Sequence, residues 1–563
     1  MDDLAATNQL WALTLINAFV AAGVRHAVIS PGSRSTPLAL ACERHPGIVV
    51  HVVLDERSAA FFALGLAKAE GRPALVIATS GSAPANWFPA VIEAAAGAQP
   101  LILLSADRPP ELRECGANQT VDQLKLFGGH VRFSYEFAVP EADPALLRQV
   151  SMLGRQAVAR SRWPLSGPVH LNLPFREPLV AALPTDFEFS RTTELPPLPL
   201  LTPAQADVAA VAAALSGQPG LMVCGGADYP ADFAERVTAL AARLDCPLLA
   251  DPLSGLRYGG HERSRILTRY DAFLRNPDFA DARRPAWILR FGAMPVSKPV
   301  QQYLAAQESA QHLLVDPSGR WSDPLHRTTR LIHADPATFC AALAAHPLQP
   351  APPQWAVAFA AAERRAATAA EKQAPPEAQI LRCLLDALPS GALLFSGNSM
   401  PIRDIDGFSG SAAKPLRILA NRGASGIDGN LATVLGLSAA GQGKTVALLG
   451  DLALCHDAGA LLAARGRDIT LVVMNNGGGG IFGYLPQAGL AEYQKLWLTP
   501  QQVDFAALAQ AYGVGYACAD SVGAFETAFR AALMTGGANL IEVQIDLPAS
   551  IAGHRAYWKS VAD

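Results

Sequence analysis

Two strand-like runs end in side chains suited to a hard cation. TVALLGD closes on Asp451, and ITLVVMNN closes on Asn475 and Asn476, 25 positions separating Asn476 from Asp451. That interval accommodates one helix and a return strand. If the two strands are neighbours, carboxylate and amide oxygens converge at one sheet edge. Magnesium is usually held by one or two such groups, with phosphate oxygens and water completing its shell. Four glycines, Gly477 to Gly480, follow directly. A backbone stripped of side chains can approach a phosphate closely with its amide hydrogens pointing at it, and a carbonyl in the run can add a ligand. The motif alone is equally compatible with an Asp451 helix cap followed by a flexible glycine loop.

A second acid stands at the end of IVVHVVLDE, where Asp55 and Glu56 precede an alanine-rich helical pattern. Acidic residues at a helix N-terminus stabilise it by ~0.3–1 kcal/mol, which suffices to explain the pair in isolation. Together with the Gly-Asp and Asn-Asn strand ends, Glu56 reads instead as a chemical group. Two apparent nucleotide motifs fail. GQGKT would need glycine where Ser438 stands and is followed by a strand, so it is no P-loop. CGGAD at 224–228 lacks the G-x-G-x-x-G spacing.

The elements that must position these residues follow from the whole chain. Its 563 residues imply two to four domains, and 50% hydrophobic with 17% charged residues imply a globular protein. A net charge of -4 argues against general nucleic-acid binding. Eight cysteines without a C-x-x-C pair predict buried reduced thiols in a cytoplasmic protein. The acidic start lacks the basic region of a secretory signal, and no membrane-spanning helix is expected.

Proline-rich stretches at 183–199 and 346–374 read as linkers, dividing the chain into 1–182, 200–345 and 375–563. Each piece alternates near-continuous apolar runs with helical patterns. The fold class expected is α/β, with three doubly wound parallel-sheet domains. Ligands then bind beyond the carboxyl ends of the strands.

A glutamate after the second strand of an N-terminal α/β domain, with a C-terminal GD…NN element, resembles the thiamine-diphosphate-dependent enzymes across the whole three-domain layout. The resemblance implies a diphosphate and magnesium site (manganese is an alternative) at that element. It implies that Glu56 hydrogen-bonds the aminopyrimidine ring, so that the ring's own nitrogen can remove the proton from the thiazolium carbon. It also implies active sites shared between subunits, hence a homodimer and a dimer of dimers.

Within that group, SPGSRSTPLALA, SADRPPELRECGANQTVDQ, GNSMPIRDID, NRGASGIDGNLAT and GGGGIFGYLP resemble the 2-succinyl-5-enolpyruvyl-6-hydroxy-3-cyclohexene-1-carboxylate synthases of menaquinone biosynthesis. The resemblance implies decarboxylation of 2-oxoglutarate and addition of the four-carbon unit to isochorismate. Residue by residue, it places Asp451, Asn476 and the Gly478 carbonyl on the metal. Glu56, Ser80, Gly81, Ile427 and Ile481 would lie against the cofactor, Ile427 as the wedge that keeps it bent. Ser399, Arg403 and Arg422 would hold 2-oxoglutarate. Ser33, Arg34, Arg108, Asn118, Gln119 and Lys298 would surround isochorismate, with Phe482 and Leu485 in an apolar wall. Guanidinium forks suit such multiply anionic substrates. Taken singly, Arg34 could instead cap a turn, Arg108 could be a loop residue, and Ile481 and Phe482 could be core. Pro299 after Lys298 replaces a second basic residue of the family pattern. A synthase or decarboxylase acting on pyruvate and a non-catalytic cofactor-binding module are the alternatives.

Overall fold

The computed structural model describes residues 2–182, 187–190 and 195–562. Part of the expected first linker, 183–186 and 191–194, lies outside the described residues.

Three six-stranded, wholly parallel sheets account for the apolar runs. The first comprises β1 (His26–Ile29), β2 (Val49–Val52), β3 (Ala74–Ala78), β4 (Leu101–Asp107), β5 (Phe133–Glu136) and β6 (Pro168–Pro174), ordered β2-β1-β3-β4-β6-β5. The second comprises β7 (Gly220–Cys224), β8 (Leu248–Ala250), β9 (Ile266–Leu267), β10 (Trp287–Phe291), β11 (Gln311–Val315) and β12 (Arg330–Ile332), ordered β12-β11-β10-β7-β8-β9. The third comprises β13 (Ala392–Ser396), β14 (Leu416–Ala420), β15 (Thr445–Gly450), β16 (Ile469–Asn475), β17 (Gly515–Ala519) and β18 (Ala538–Gln544). Its order, β14-β13-β15-β16-β18-β17, repeats that of the first. Strands such as Ala74–Ala78 and Ala392–Ser396 are buried along their whole length, as apolar strands covered on both faces must be.

Strand order reverses between β1 and β3 in the first sheet and between β13 and β15 in the third. At such switch points neighbouring loops leave in opposite directions and open a crevice at the carboxyl ends. The second sheet has its switch point between β7 and β10, and there the crevice is closed by the chain itself. A Cβ on Gly225 would stand 1.7 Å from the Ala293 carbonyl oxygen, and one on Gly292 would stand 2.4 Å from Tyr229 Oη.

The chain divides into two compact units. One contains Met1–Leu198, Asn421–Gln442 and Ala453–Arg467, and the other contains Pro199–Ala420, Gly443–Leu452 and Asp468–Asp563. In the first unit, helices Glu56–Glu70 and Asn430–Ala439 pack closely because glycines meet backbone. A Cβ on Gly65 would lie 2.1 Å from the Thr433 carbonyl oxygen, and one on Gly436 would lie 2.0 Å from that of Phe62.

Four expectations need correction. The segment 346–374, read as a linker, holds the long helix Pro353–Gln373. Its prolines stand before and at the first helical position, where proline's fixed φ initiates a helix rather than breaking one. The single helix expected after Asp451 is instead Asp451–His456 followed by a 3-10 turn, Ala458–Ala464. The first helix, Asp2–Ala21, includes an 18-residue window long and apolar enough to cross a membrane, contrary to the sequence reading. Trp11, Leu13, Leu15, Ile16 and Phe19 are buried in the core of the first sheet, so the apolarity serves packing on both faces of that helix. All eight cysteines are free, but only Cys42, Cys224, Cys246 and Cys340 are fully buried, whereas Cys115 and Cys518 are exposed.

Candidate active site

In the first unit, loops after β1, β3 and β4 bring predicted residues together. The Arg108 guanidinium donates to Ser80 Oγ at 2.6 Å. Ser80 Oγ donates to the Gln119 carbonyl, and Gln119 Nε2 donates back to the Ser80 carbonyl, each at 3.0 Å. Gly81 has φ +83°, and a Cβ there would meet Gln119 Cγ at 2.8 Å, so glycine is needed for both conformation and space. Its amide donates to Gln123 at 3.0 Å. Ser33 and Asn118, which precede Arg34 and Gln119 in sequence, are exposed.

Arg34 is turned inward. Its guanidinium donates to the Phe175 carbonyl at 2.9 Å and to Glu177 at 2.8 Å, and Nε has no partner among the described residues. Burial and the neighbouring Arg108 lower its proton affinity, while Glu177 opposes them. A ligand carboxylate would have to replace Glu177 to reach it.

Glu56 is the first residue of helix Glu56–Glu70, half-buried, and it is not the cap. Asp55 performs that role, accepting from the Ser58 amide at 2.7 Å. The electrostatic explanation of the acidic pair is thus taken up by Asp55, and Glu56 is available for chemistry.

Arg422 and Ile427 belong to the loop before helix Asn430–Ala439. A buried carboxylate that sequence reasoning missed holds this loop. Glu93 accepts from three successive amides, of Gly423 at 2.8 Å, Ala424 at 2.7 Å and Ser425 at 3.3 Å. The only hint in sequence is one acid inside the apolar helix FPAVIEAAA. Next to it is a cleft of about 210 Å³ lined by Phe61, Ile92, Glu93, Asn421, Gly426 and Asp428. Ile427 remains 42% exposed, a large apolar side chain presented rather than packed away.

In the second unit, β15 and β16 are indeed neighbours, with Gly450 opposite Met474. Asp451 and Asn476 therefore leave the same sheet edge. Burial pushes the Asp451 carboxyl up to about 6, although the Leu452 and Gly478 amides donate to it. Asn475 is fully used: its Nδ2 donates to Glu542 at 2.7 Å and its Oδ1 accepts from the Gly477 amide at 3.1 Å. Asn476 Oδ1 is buried and has no donor among the described residues. A buried carboxylate beside a buried amide oxygen that has no donor among the described residues fits a divalent cation.

The glycine run also makes room within the chain itself. Cβ atoms on Gly478 and Gly479 would stand 2.1 Å from the Leu498 carbonyl oxygen and 2.4 Å from that of Trp497. One on Gly480 would stand 2.4 Å from Asn476 Nδ2. Three of the four glycines therefore admit the chain's own backbone and the Asn476 amide, and only Gly477, at φ +76°, faces open space. Ile481 and Phe482 follow in a 3-10 turn, Gly480–Tyr484, both half-buried, and Leu485 is 38% exposed.

Ser399 and Arg403 lie at the carboxyl end of β13. Ser399 adopts φ +72°, a strained conformation for a residue with a side chain, and its carbonyl accepts from Arg403 at 2.6 Å. Lys298 follows Ser297, which donates to Asp271 at 2.8 Å, an acid whose charge also acts on Arg403. Lys298 itself is exposed at the start of helix Lys298–Ala306, whose cap is Ser297, with Pro299 in the first turn. A cation at a helix N-terminus opposes the helix dipole, so the position is not explained by helix stability.

With this geometry in place, comparison with known proteins is decisive. Residues 12–126 match the thiamine pyrophosphate enzyme N-terminal TPP binding domain. Residues 205–396 match the middle domain of thiamine pyrophosphate enzymes, and residues 408–543 match the C-terminal TPP binding domain. A 2-succinyl-5-enolpyruvyl-6-hydroxy-3-cyclohexene-1-carboxylate synthase of Dechloromonas aromatica is 47% identical over 97% of this chain and 100% of its own length. The chain belongs to this synthase family. Synthases of the same name from Chloroflexus aurantiacus, 44% identical over 98% of this chain and 96% of the relative, and from Halobacterium salinarum, 41% identical over 96% of each, agree. The synthase architecture explains why the first and third sheets share one strand order: both are thiamine-diphosphate-binding domains. Ser80 and Gly81, at the switch point of the first sheet, and Asp451, at that of the third, fall within the two matched TPP binding domains. The closed crevice falls in the middle domain.

Proposed function

We propose that this thiamine-diphosphate-dependent synthase decarboxylates 2-oxoglutarate and transfers the four-carbon unit to isochorismate, with release of carbon dioxide. The observation that carries the reading is the convergence of Asp451, Asn476 and Gly478 at the adjoining ends of β15 and β16, a buried carboxylate beside a buried amide oxygen that has no donor among the described residues. Magnesium, or manganese, would be held there by Asp451, Asn476 and the Gly478 carbonyl.

Thiamine diphosphate, when bound, supplies the carbon centre that takes up a 2-oxo acid and stabilises the charge left when carbon dioxide departs. Glu56 holds a proton at the pyrimidine ring nitrogen and thereby tunes the basicity of the ring's amino group. Ser80 and Gly81 line the pyrimidine side, and Ile427 and Ile481 pack against the cofactor. Ser399, Arg403 and Arg422 orient 2-oxoglutarate, whose two carboxylates suit two guanidinium forks better than the single carboxylate of pyruvate does. Ser33, Arg34, Arg108, Asn118, Gln119 and Lys298 receive isochorismate, with Phe482 and Leu485 excluding water from the reacting carbon.

The active unit in this reading is a cytoplasmic homodimer with shared sites, pairing further into a tetramer, whose partners besides itself are small molecules. Val49, Val52 and Leu54, on and just after the edge strand β2 and immediately before Glu56, are 52%, 68% and 68% exposed, an apolar strip that a second copy would cover. The domains of this enzyme are 1–182, 200–345 and 375–563.

Carbon dioxide release with thiamine diphosphate and magnesium tests the substrate reading. 2-Oxoglutarate should be consumed at least about tenfold faster than pyruvate at equal concentration, a difference of ~1.4 kcal/mol in the barrier. Equal turnover of the two would remove the case for a dicarboxylic substrate.

A further inference from the structure

The helix that presents Arg403, Met400–Phe408, is held by two buried acids that the mechanism above does not use. Asp406 accepts from Arg257 at 2.5 Å and from Tyr270 Oη at 2.6 Å. Two residues earlier, Asp404 turns to a different element, with Oδ1 3.1 Å from His554 Nε2 on helix Leu547–Ala562. Asp404 and His554 are 4% and 2% exposed.

The opposite edge of the imidazole faces the wall segment. His554 Nδ1 lies 2.9 Å from Tyr484 Oη and 2.9 Å from the Ser550 carbonyl. Tyr484 ends the 3-10 turn that contains Ile481 and Phe482 and immediately precedes Leu485. One imidazole therefore touches both the helix carrying Arg403 and the turn carrying the apolar wall. Rings of Phe408, Tyr484 and Trp558, with centroids 5.5–5.7 Å from that of His554, fix its plane. Ser550 Oγ donates to Glu377, whose second oxygen has no partner among the described residues. Burial opposes protonation of His554, and the hydrogen bond and charge of Asp404 outweigh it.

Apolar side chains would fill this volume without the desolvation cost of two carboxyls and an imidazole. What they could not supply is direction. A hydrogen bond at each edge of a planar ring fixes the rotation of the Arg403 helix relative to the wall, and functional side chains need such supporting contacts to be held within fractions of an ångström.

We propose that His554 is a positioning residue for the 2-oxo acid subsite, keeping Arg403 and the Ile481–Leu485 wall in register through Asp404 and Tyr484. The inference rests on the proposed role of Arg403. His554→Phe keeps the ring volume and removes both hydrogen bonds. It should raise KM for 2-oxoglutarate about tenfold or more, as expected for loss of a charge-assisted bond. KM for isochorismate and the affinity for thiamine diphosphate should change by much less than KM for 2-oxoglutarate, because only their apolar wall adjoins Tyr484 and none of the polar residues proposed for them touches the imidazole. Tyr484→Phe and Asp404→Asn, each close to isosteric, should shift KM for 2-oxoglutarate in the same direction even if His554→Phe folds poorly. In an Arg403→Ala background, His554→Phe should add less than about a twofold change.

A uniform loss across both substrates and the cofactor, no change in any of the three single variants, or a fully multiplicative double variant would each overturn the proposal. If the parent enzyme does not turn over 2-oxoglutarate at all, the substrate reading fails. If it does and the variants match it, only the role of His554 fails.

Discussion

At the scale of single residues, neighbouring acids and amides have been given separate tasks. Asp55 caps its helix and leaves Glu56 unassigned. Asn475 braces the loop through Glu542 and leaves Asn476 Oδ1 bare. Glu56→Gln should therefore keep the fold, since the cap is untouched, while turnover falls by at least about 10²-fold, as loss of a positioned proton-transfer group does. Circular dichroism and steady-state rates read the two effects separately, and unchanged turnover would refute the role. Asp451→Ala should weaken magnesium-dependent binding of thiamine diphosphate by about tenfold or more, as removal of a charged ligand does. Undiminished affinity in a calorimetric titration would contradict the ligand role. Asp451, Asn476 and Glu56 were legible in sequence because each closes an apolar run. Which asparagine is spare was not, because that depends on Glu542, more than sixty residues along the chain.

At the scale of elements, glycines decide which surfaces approach. The crossing of helices Glu56–Glu70 and Asn430–Ala439 depends on Gly65 and Gly436, where a methyl group would meet a carbonyl oxygen at about 2 Å. Gly436→Ala should destabilise the protein by roughly 1–3 kcal/mol, the range for overpacking a tight contact, read as a lowered urea midpoint. An unchanged midpoint would mean that the crossing relaxes without cost. The apolar runs revealed the strands because both faces of a parallel sheet must be covered. The same reasoning misread 346–374, since prolines at 352, 353, 375 and 376 mark helix starts as readily as linkers. The glycine run Gly477–Gly480 was also half legible. Its need for bare backbone was visible, but the occupant of the space, Trp497 and Leu498, comes from a distant turn.

At the scale of the whole molecule, buried ionisable groups link stability to pH. Burial holds the His170 imidazole down at about 4, so the folded protein keeps it neutral while the unfolded chain titrates near 6.5. The unfolded state therefore binds more protons between pH 6.5 and 4. The contribution is fully present above pH 6.5 and is lost as pH falls through that window, by up to roughly 3 kcal/mol. Asp451 and Asp457, whose carboxyls burial raises to about 6, act in the opposite sense over pH 6 to 4. The comparison must therefore be between variants. His170→Gln should melt with a weaker loss of stability from pH 7 to pH 5 than the parent, and identical slopes would show that His170 does not titrate as its burial requires. The three-sheet plan was readable from alternating runs and proline punctuation. The assignment of 421–442 and 453–467 to the same compact unit as the first sheet was not, because contacts between helices such as Glu56–Glu70 and Asn430–Ala439 leave no local pattern in the chain.

The central claim is that two anionic substrates are joined at one thiamine-diphosphate site. The most direct measurement incubates the enzyme with thiamine diphosphate, magnesium, 2-oxoglutarate and isochorismate and determines the product by mass. The account predicts an adduct equal in mass to isochorismate plus 2-oxoglutarate less one carbon dioxide, formed only when both substrates and the metal are present. Carbon dioxide release with isochorismate recovered unchanged would contradict it.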